Sequence, residues 1–406
     1  MNKKEKIKLV PKYRFPEFQN SDSWDRCTLV KLADRIEEKV GENKLTTLSI
    51  SAGTGFVSQE EKFSRDISGN QYKNYIHLRK GDFSYNKGNS KTFPQGCIYE
   101  LTEYEEAAVP NAFISFHFKD NYVSNFYKGY FENNFHGKQL TRFITSGARM
   151  DGLLNIKAPD FFSIVLPTPT ERKEQQKIAD CLASIDDLIY AEDKKLSALK
   201  DHKKGLMQKL FPAEGKTVPE WRFPEFRNCM KWEKALVSEL VSTISPPKKL
   251  NSSEYYTSGE FPVIDQGQNY FCGWTNDREA LVKLNCKLLI FGDHTCILKL
   301  INRPFAQGAD GIKILLTNKK ILPDFLFQYL SFDPVKSDSY KRHFSILKEK
   351  YIFFPNIESG EQQKIADFLS SVDELITAQA DKIEALKKHK IGLMQGLFPS
   401  IEEVIR

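Results

Sequence analysis

The feature that most narrows what this chain can fold into is a 39-residue segment that occurs twice. Glu174 to Pro212 reads EQQKIADCLASIDDLIYAEDKKLSALKDHKKGLMQKLFP, and Glu361 to Pro399 reads EQQKIADFLSSVDELITAQADKIEALKKHKIGLMQGLFP, with 26 positions identical. Repetition at this level means two copies of one structural unit in a single chain. In the first copy Ile178, Leu182, Ile185, Ile189, Glu192, Leu196, Leu199, Lys203, Leu206 and Leu210 alternate steps of four and three. The second gives Ile365, Leu369, Val372, Ile376, Gln379, Ile383, Leu386, Lys390, Leu393 and Leu397, polar at the same two positions. That spacing is the heptad seam of a long helix. Glu171, Glu174 and Glu361 suit the helix starts, and Pro212 and Pro399 mark the ends. Each helix should be about 37 residues, roughly 55 Å long. Two matching apolar seams in one chain can cover each other without a concentration cost, so an antiparallel intrachain pair is expected in preference to a coiled coil between chains.

A second repeat precedes each helix. Arg14-Phe15-Pro16-Glu17-Phe18 returns as Arg222-Phe223-Pro224-Glu225-Phe226, with Trp24 and Trp232 six residues further on. Fainter matches lie between: Gly81-Asp82 with Gly292-Asp293, Phe93 to Gly96 with Phe305 to Gly308, and Phe126 and Tyr130 with Phe325 and Tyr329. Their collinearity implies one scaffold in both halves, with loops changed in length and content. Short β-rich runs (Ala112 to Phe118, Phe161 to Leu166, Lys287 to Phe291, Gly311 to Leu316) separated by Gly, Asn, Asp and Ser mark both globular parts as mixed α/β.

Composition fits a globular protein, with 28% charged and 40% hydrophobic residues. No apolar run approaches the roughly 18 residues of a membrane span, and Met1 to Val10 lacks the apolar core of a signal peptide, so a cytoplasmic location is expected. The seven cysteines include no CxxC pair, which argues against a zinc site. A net charge of +6 permits a polyanionic partner without demanding one.

Three sequence features imitate catalytic sites. Pro159-Asp160 with Glu171-Arg172-Lys173 resembles the carboxylate-and-lysine set of metal-dependent nucleases, but Glu171 sits where a helix begins, not on a strand beside Asp160. Gly53-Thr54-Gly55 is too short for a phosphate or adenosylmethionine loop, and Asp293-His294-Thr295-Cys296 places nucleophile-like residues side by side without making a triad.

RFPEF followed by tryptophan, a variable region, an EQQKIA helix ending in GLMQ-LFP, and then the same order again resembles the specificity subunits of type I restriction-modification enzymes. Phe261 to Asp265, Ile290 to Thr295, Phe305 to Gly311 and Gly81 to Asn86 look like motifs of their target-recognition domains. The resemblance implies an α+β chain: two pseudo-twofold-related mixed α/β target-recognition domains joined by two long antiparallel coiled-coil helices. The expected divisions are an extension at 1–13, domains at 14–168 and 213–355, spacer helices at 169–212 and 356–400, and a tail at 401–406. Each domain would read one half of an interrupted, asymmetric DNA site, the half-sites about one helical turn apart. Two methyltransferase subunits and two motor-nuclease subunits would carry the chemistry, with adenosylmethionine, ATP and magnesium bound to them. This chain would hold no metal, cofactor or catalytic residue.

The polar, aromatic loops supply the side chains suited to base edges and phosphates. Candidate DNA contacts are Thr54, Lys87, Asn89, Ser90, Lys91, Gln266, Gln268, Asn269, His294, Thr295 and Gln307. Candidate spacer and partner-docking residues are Ile178, Leu182, Ile185, Leu196, Leu199, Ile365, Leu369, Val372, Ile383 and Leu386. The competing readings are a coiled-coil DNA-binding scaffold and a stand-alone endonuclease.

Overall fold

The computed structural model describes residues 8–65, 68–88, 93–144, 154–308, 311–336, 343–400, 402 and 404. The chain divides into two compact units, Met1–Ala191 with Ile383–Arg406, and Glu192–Lys382. The long helices span Arg172–Leu210 and Glu361–Leu397, so each unit contains the beginning of one and the end of the other.

The first unit is built on an antiparallel sheet in the order Ala33–Arg35, Ile114–Phe118, Phe83–Asn86, Cys97–Glu100. Beside it the hairpin Leu48–Ser51 with Gly55–Ser58 and the pair Ile76–Arg79 with Glu106–Val109 are linked by a parallel bridge, Thr47 to Ala108. The second unit repeats this plan. Its antiparallel sheet runs Val241–Ile244, Ile312–Thr317, Leu288–Gly292, Leu298–Ile301. Its other sheet runs Gly273–Thr275, Phe261–Ile264, Phe305–Gln307, Leu281–Val282, with the middle pair parallel.

Matching the sheets strand by strand corrects two of the faint sequence correspondences. Gly81-Asp82 enters the strand Phe83–Asn86, whereas Gly292-Asp293 leaves the equivalent strand Leu288–Gly292. Phe93 to Gly96 lies between two strands of the first sheet, while Phe305–Gln307 is itself a strand of the second, equivalent to Glu106–Val109. The Phe126/Tyr130 and Phe325/Tyr329 correspondence stands, since these residues occupy equivalent helices, Ser124–Glu132 and Pro323–Phe332. The run Phe161 to Leu166 is also not one strand. Pro159 starts a short helix, Ala158–Phe162, and the strand follows at Val165–Thr168.

The repeated motifs find each other within each unit. Arg14 donates through Nε and Nη2 to Glu174, both at 2.7 Å, and Arg222 does the same to Glu361 at 2.8 and 2.5 Å. Both glutamates are fully buried, and the two-pronged guanidinium contact supplies the hydrogen bonds that burial takes from water. The next residue, a glutamine, spans a gap. Gln175 accepts from Val123 N and donates to Pro169 O, while Gln362 accepts from Leu322 N and donates to Pro355 O. It thereby satisfies an orphan donor at the start of the helix Ser124–Glu132 or Pro323–Phe332. The lysine two residues on pairs with the glutamate of the 3-10 turn: Lys177 with Glu17, Lys364 with Glu225. Trp24 sets its edge on Phe126 at 5.6 Å and Trp232 on Phe325 at 5.9 Å.

The helix ends are equally specific. In the first unit Phe398 packs on Tyr130 at 4.4 Å and on Phe126 at 5.4 Å. Gly129 makes room for it, because a Cβ there would lie 2.7 Å from the ring. In the second unit Phe211 takes the same place against Tyr329 and Phe325. Lys390 reaches Asp186 in one unit and Lys203 reaches Asp373 in the other, each at 2.7 Å. These are equivalent pairs of the repeat, and in each unit they set the end of one helix antiparallel to the start of the other.

Candidate nucleic-acid interface

In the second unit the loop after Phe261–Ile264 and the turn after Leu288–Gly292 meet. The turn is tight: Cys296 N donates to Gly292 O at 2.9 Å, and Cys296 adopts a left-handed φ of 58°. Thr295 Oγ1 donates to Gln266 O at 2.8 Å, and His294 N donates to Gln266 Oε1 at 3.3 Å. A Cβ on Gly311 would fall 2.5 Å from Gln266 Nε2, so the glutamine side chain lies against this backbone. Gln266 is therefore a brace between two loops, half-buried, and the Thr295 hydroxyl is engaged in the same contact. Gln268, Asn269 and His294 remain exposed beside them.

Lys299 organises this loop and was not singled out in the sequence. It stands at an inward position of the strand Leu298–Ile301, is 3% exposed, and donates to the carbonyls of Asp265 at 2.8 Å and Asn269 at 2.7 Å. Burial pushes its pKa down, opposed by the nearby Asp265 carboxylate. A lysine where the alternation calls for an apolar residue was the only signal, and one position is too little to read. Asp293 ties the turn to the rest of the unit: its carboxylate accepts from Phe344 N and its carbonyl accepts from His343 N, at 2.9 and 3.0 Å.

Gln307 is withdrawn as a DNA contact. It lies in the strand Phe305–Gln307 at 3% exposure, its carbonyl accepting from Leu250 N, and a side chain at that depth cannot reach a base edge. In the first unit Thr54 is exposed, but its hollow is lined by Glu100, Glu103 and Glu132 with Lys128, a setting that disfavours a phosphate. Lys87 stands apart from it, in a cleft whose charged lining residues, Arg35, Lys87 and Lys157, are all basic, set among Asn111, Asn155 and apolar side chains. Asn89, Ser90 and Lys91 lie outside the described residues. Among the described residues no three His, Cys, Asp or Glu side chains are grouped to hold a metal ion, and no helix is long and apolar enough to cross a membrane.

On the long helices, Ile178, Leu182, Ile365, Leu369, Val372 and Ile383 are buried, and Ile185, Leu196, Leu199 and Leu386 are half-buried. These seam residues have little or no surface to offer a second protein. A partner on the helices would meet other faces, where Leu188, Tyr190, Leu375 and Ile391 are exposed.

Comparison with known proteins follows the same outline. The family model of the type I restriction modification DNA specificity domain matches residues 230–388. The chain is 28% identical over 308 residues to a putative type I restriction enzyme MjaX specificity subunit of Methanocaldococcus jannaschii, covering 68% of each chain. It is 26% identical over 293 residues to the MjaVIII specificity subunit of the same organism, covering 63% of this chain and 66% of that one. In sequence the chain thus resembles the type I specificity subunits over about two thirds of its length. The fold agrees: the type I S subunit from M. genitalium matches with a TM-score of 0.61 at 16% identity, over 97% of this chain and 100% of that one. A chain from a study of complex assembly and conformational transition of the type I R-M system matches at 0.51 and 16%, over 94% and 97%.

On the DNA-reading function proposed below, the exposed pair Gln268 and Asn269 makes a direct prediction. With its methyltransferase bound, Gln268→Ala/Asn269→Ala should weaken discrimination in one half-site by about 10- to 100-fold, the worth of a bidentate base contact. Gln307→Ala should leave the recognised sequence unchanged. Methylation motifs mapped for both variants check this, and a shifted motif for Gln307→Ala would restore that residue to the interface.

Proposed function

We propose that each unit reads one half of a bipartite, asymmetric DNA site, and that the chain directs partner adenine-N6 methyltransferase and ATP-dependent motor-nuclease subunits to it. The observation that carries this reading is one scaffold used twice with different loops. The loop after Leu48–Ser51 and the loop after Phe261–Ile264 leave equivalent strands, as do the connections after Phe83–Asn86 and Leu288–Gly292, yet the members of each pair differ in length and in sequence. Conserved frames with divergent loops are what two readers of different short sequences require. The basic cleft at Arg35, Lys87 and Lys157 suits phosphates in the first unit, and Gln268, Asn269 and His294 suit base edges in the second.

Methylation of adenine needs the base turned out of the duplex, and a reader engaged at both half-sites holds the methyltransferase over the right one. The long helices keep the half-sites about one helical turn apart and dock two copies of each partner on their exposed faces. Adenosylmethionine, ATP and magnesium belong to those partners.

Co-expression with the methyltransferase subunit, followed by single-molecule mapping of N6-methyladenine, tests the proposal. One motif with two short half-sites around an unspecified spacer is the expected result. A stable complex that methylates no defined motif would favour the scaffold reading, and cleavage by the purified chain with magnesium would favour the nuclease.

A further inference from the structure

The seam of the long helices has polar residues at two positions in each copy, and the structure gives them different partners. Lys203 and Lys390 turn to Asp373 and Asp186. Both copies carry both members of that ion pair, so it fixes an antiparallel register but would form equally well between two identical helices. The other position differs between the copies. There Glu192 faces its own counterpart, Gln379, which donates from Nε2 to Glu192 Oε2 at 2.6 Å and to Glu192 O at 3.0 Å. Lys382 completes the contact at 2.5 Å from Glu192 Oε1.

An antiparallel pair of like helices would set Glu192 against a second Glu192, acceptor against acceptor, or Gln379 against Gln379 with no charge to strengthen the bond. Only the unlike pair sets an amide donor against the carboxylate; in a pair of first helices Lys195 could reach each glutamate as Lys382 does here, but the two carboxylates would still face each other. Gln379 is 6% exposed and the Glu192 side chain 12% exposed, so water does little to blunt the difference. A single buried polar position that decides which helices associate is an established use of such residues, usually at some cost in stability. We infer that the Glu192–Gln379 contact is the selector that pairs the first long helix with the second and disfavours association of like helices from two chains. Choice of the helix within the same chain then follows from its high effective concentration. This inference stands independently of what the globular units read.

The repeat itself supplies the decisive variant. Lys195 occupies the position in the first copy that Lys382 occupies in the second. A carboxylate moved to position 379 would therefore find Lys195 as Glu192 finds Lys382, and the contact should work reversed. In the full-length chain Gln379→Glu should lower Tm by about 2–4 °C. Adding Glu192→Gln should return it to within about 1 °C of the parent. Glu192→Leu/Gln379→Leu should hold or raise Tm but add a species of twice the chain mass, seen by analytical ultracentrifugation, because an all-apolar seam no longer distinguishes its partners. A reversed pair that melts no higher than Gln379→Glu would overturn the inference, as would a leucine variant that keeps a single monomeric mass.

Discussion

Replacing Glu174 by alanine should destabilise the first unit by about 3–5 kcal/mol, the loss expected when one partner of a buried ion pair is removed and the other stays. Arg14 is 7% exposed at its side chain and, among the described residues, would keep only the carbonyls of Ser21 and Asp22 as acceptors. Trp24 Nε1 would lose its acceptor as well, since it donates to Glu174 Oε1 at 3.2 Å. The damage should be local: amide exchange in Phe83–Asn86 and Ile114–Phe118 should speed up while Leu288–Gly292 keeps its protection. Glu361→Ala should reverse the pattern. Glu17→Ala, which removes only the exposed contact to Lys177, should change nothing measurable. A uniform loss of protection in both units after Glu174→Ala would show that the pair is not confined to the unit that contains it.

Phe398→Ala is the second large effect, again about 3–5 kcal/mol, because a buried aromatic ring leaves a cavity that Tyr130 and Phe126 cannot close. Phe398→Leu should cost under about 1.5 kcal/mol, since it restores most of the volume. The informative readout is position. Phe398 lies close to the chain's end, yet its loss should be felt in the first unit, and Phe211→Ala should be felt in the second. Exchange data placing the Phe398→Ala effect in Leu288–Gly292 would contradict the packing described here.

The long helices were legible because a heptad seam is a strong, redundant signal: ten positions agree in each copy, and all of them are buried or half-buried. The motifs RFPEF and EQQKIA were legible as repeats but not as each other's partners. Nothing in a sequence says that Arg14 meets Glu174 across 160 residues. The two misplaced correspondences, Gly81-Asp82 with Gly292-Asp293 and Phe93 to Gly96 with Phe305 to Gly308, failed for one reason. Glycine with aspartate marks a strand's end in either direction, so such a match fixes neither strand nor register. Among the candidate DNA contacts, Gln307 was drawn in by its residue type, and only its depth in a sheet excludes it. Lys299 was passed over because its importance lies in two carbonyls that the fold brings to it.

The reciprocal exchange of helix ends has a consequence for synthesis. The first globular unit is the first to leave the ribosome, but its core is closed by Leu397 and Phe398, which emerge only after the second unit. At roughly 5–20 residues per second it waits tens of seconds with an apolar socket open around Gly129. The second unit has no such delay, for Phe211 precedes its strands and is ready when they appear. A chain whose two units share one plan is thus unequal in time, and its early half is the one that needs protection from aggregation while the second is made.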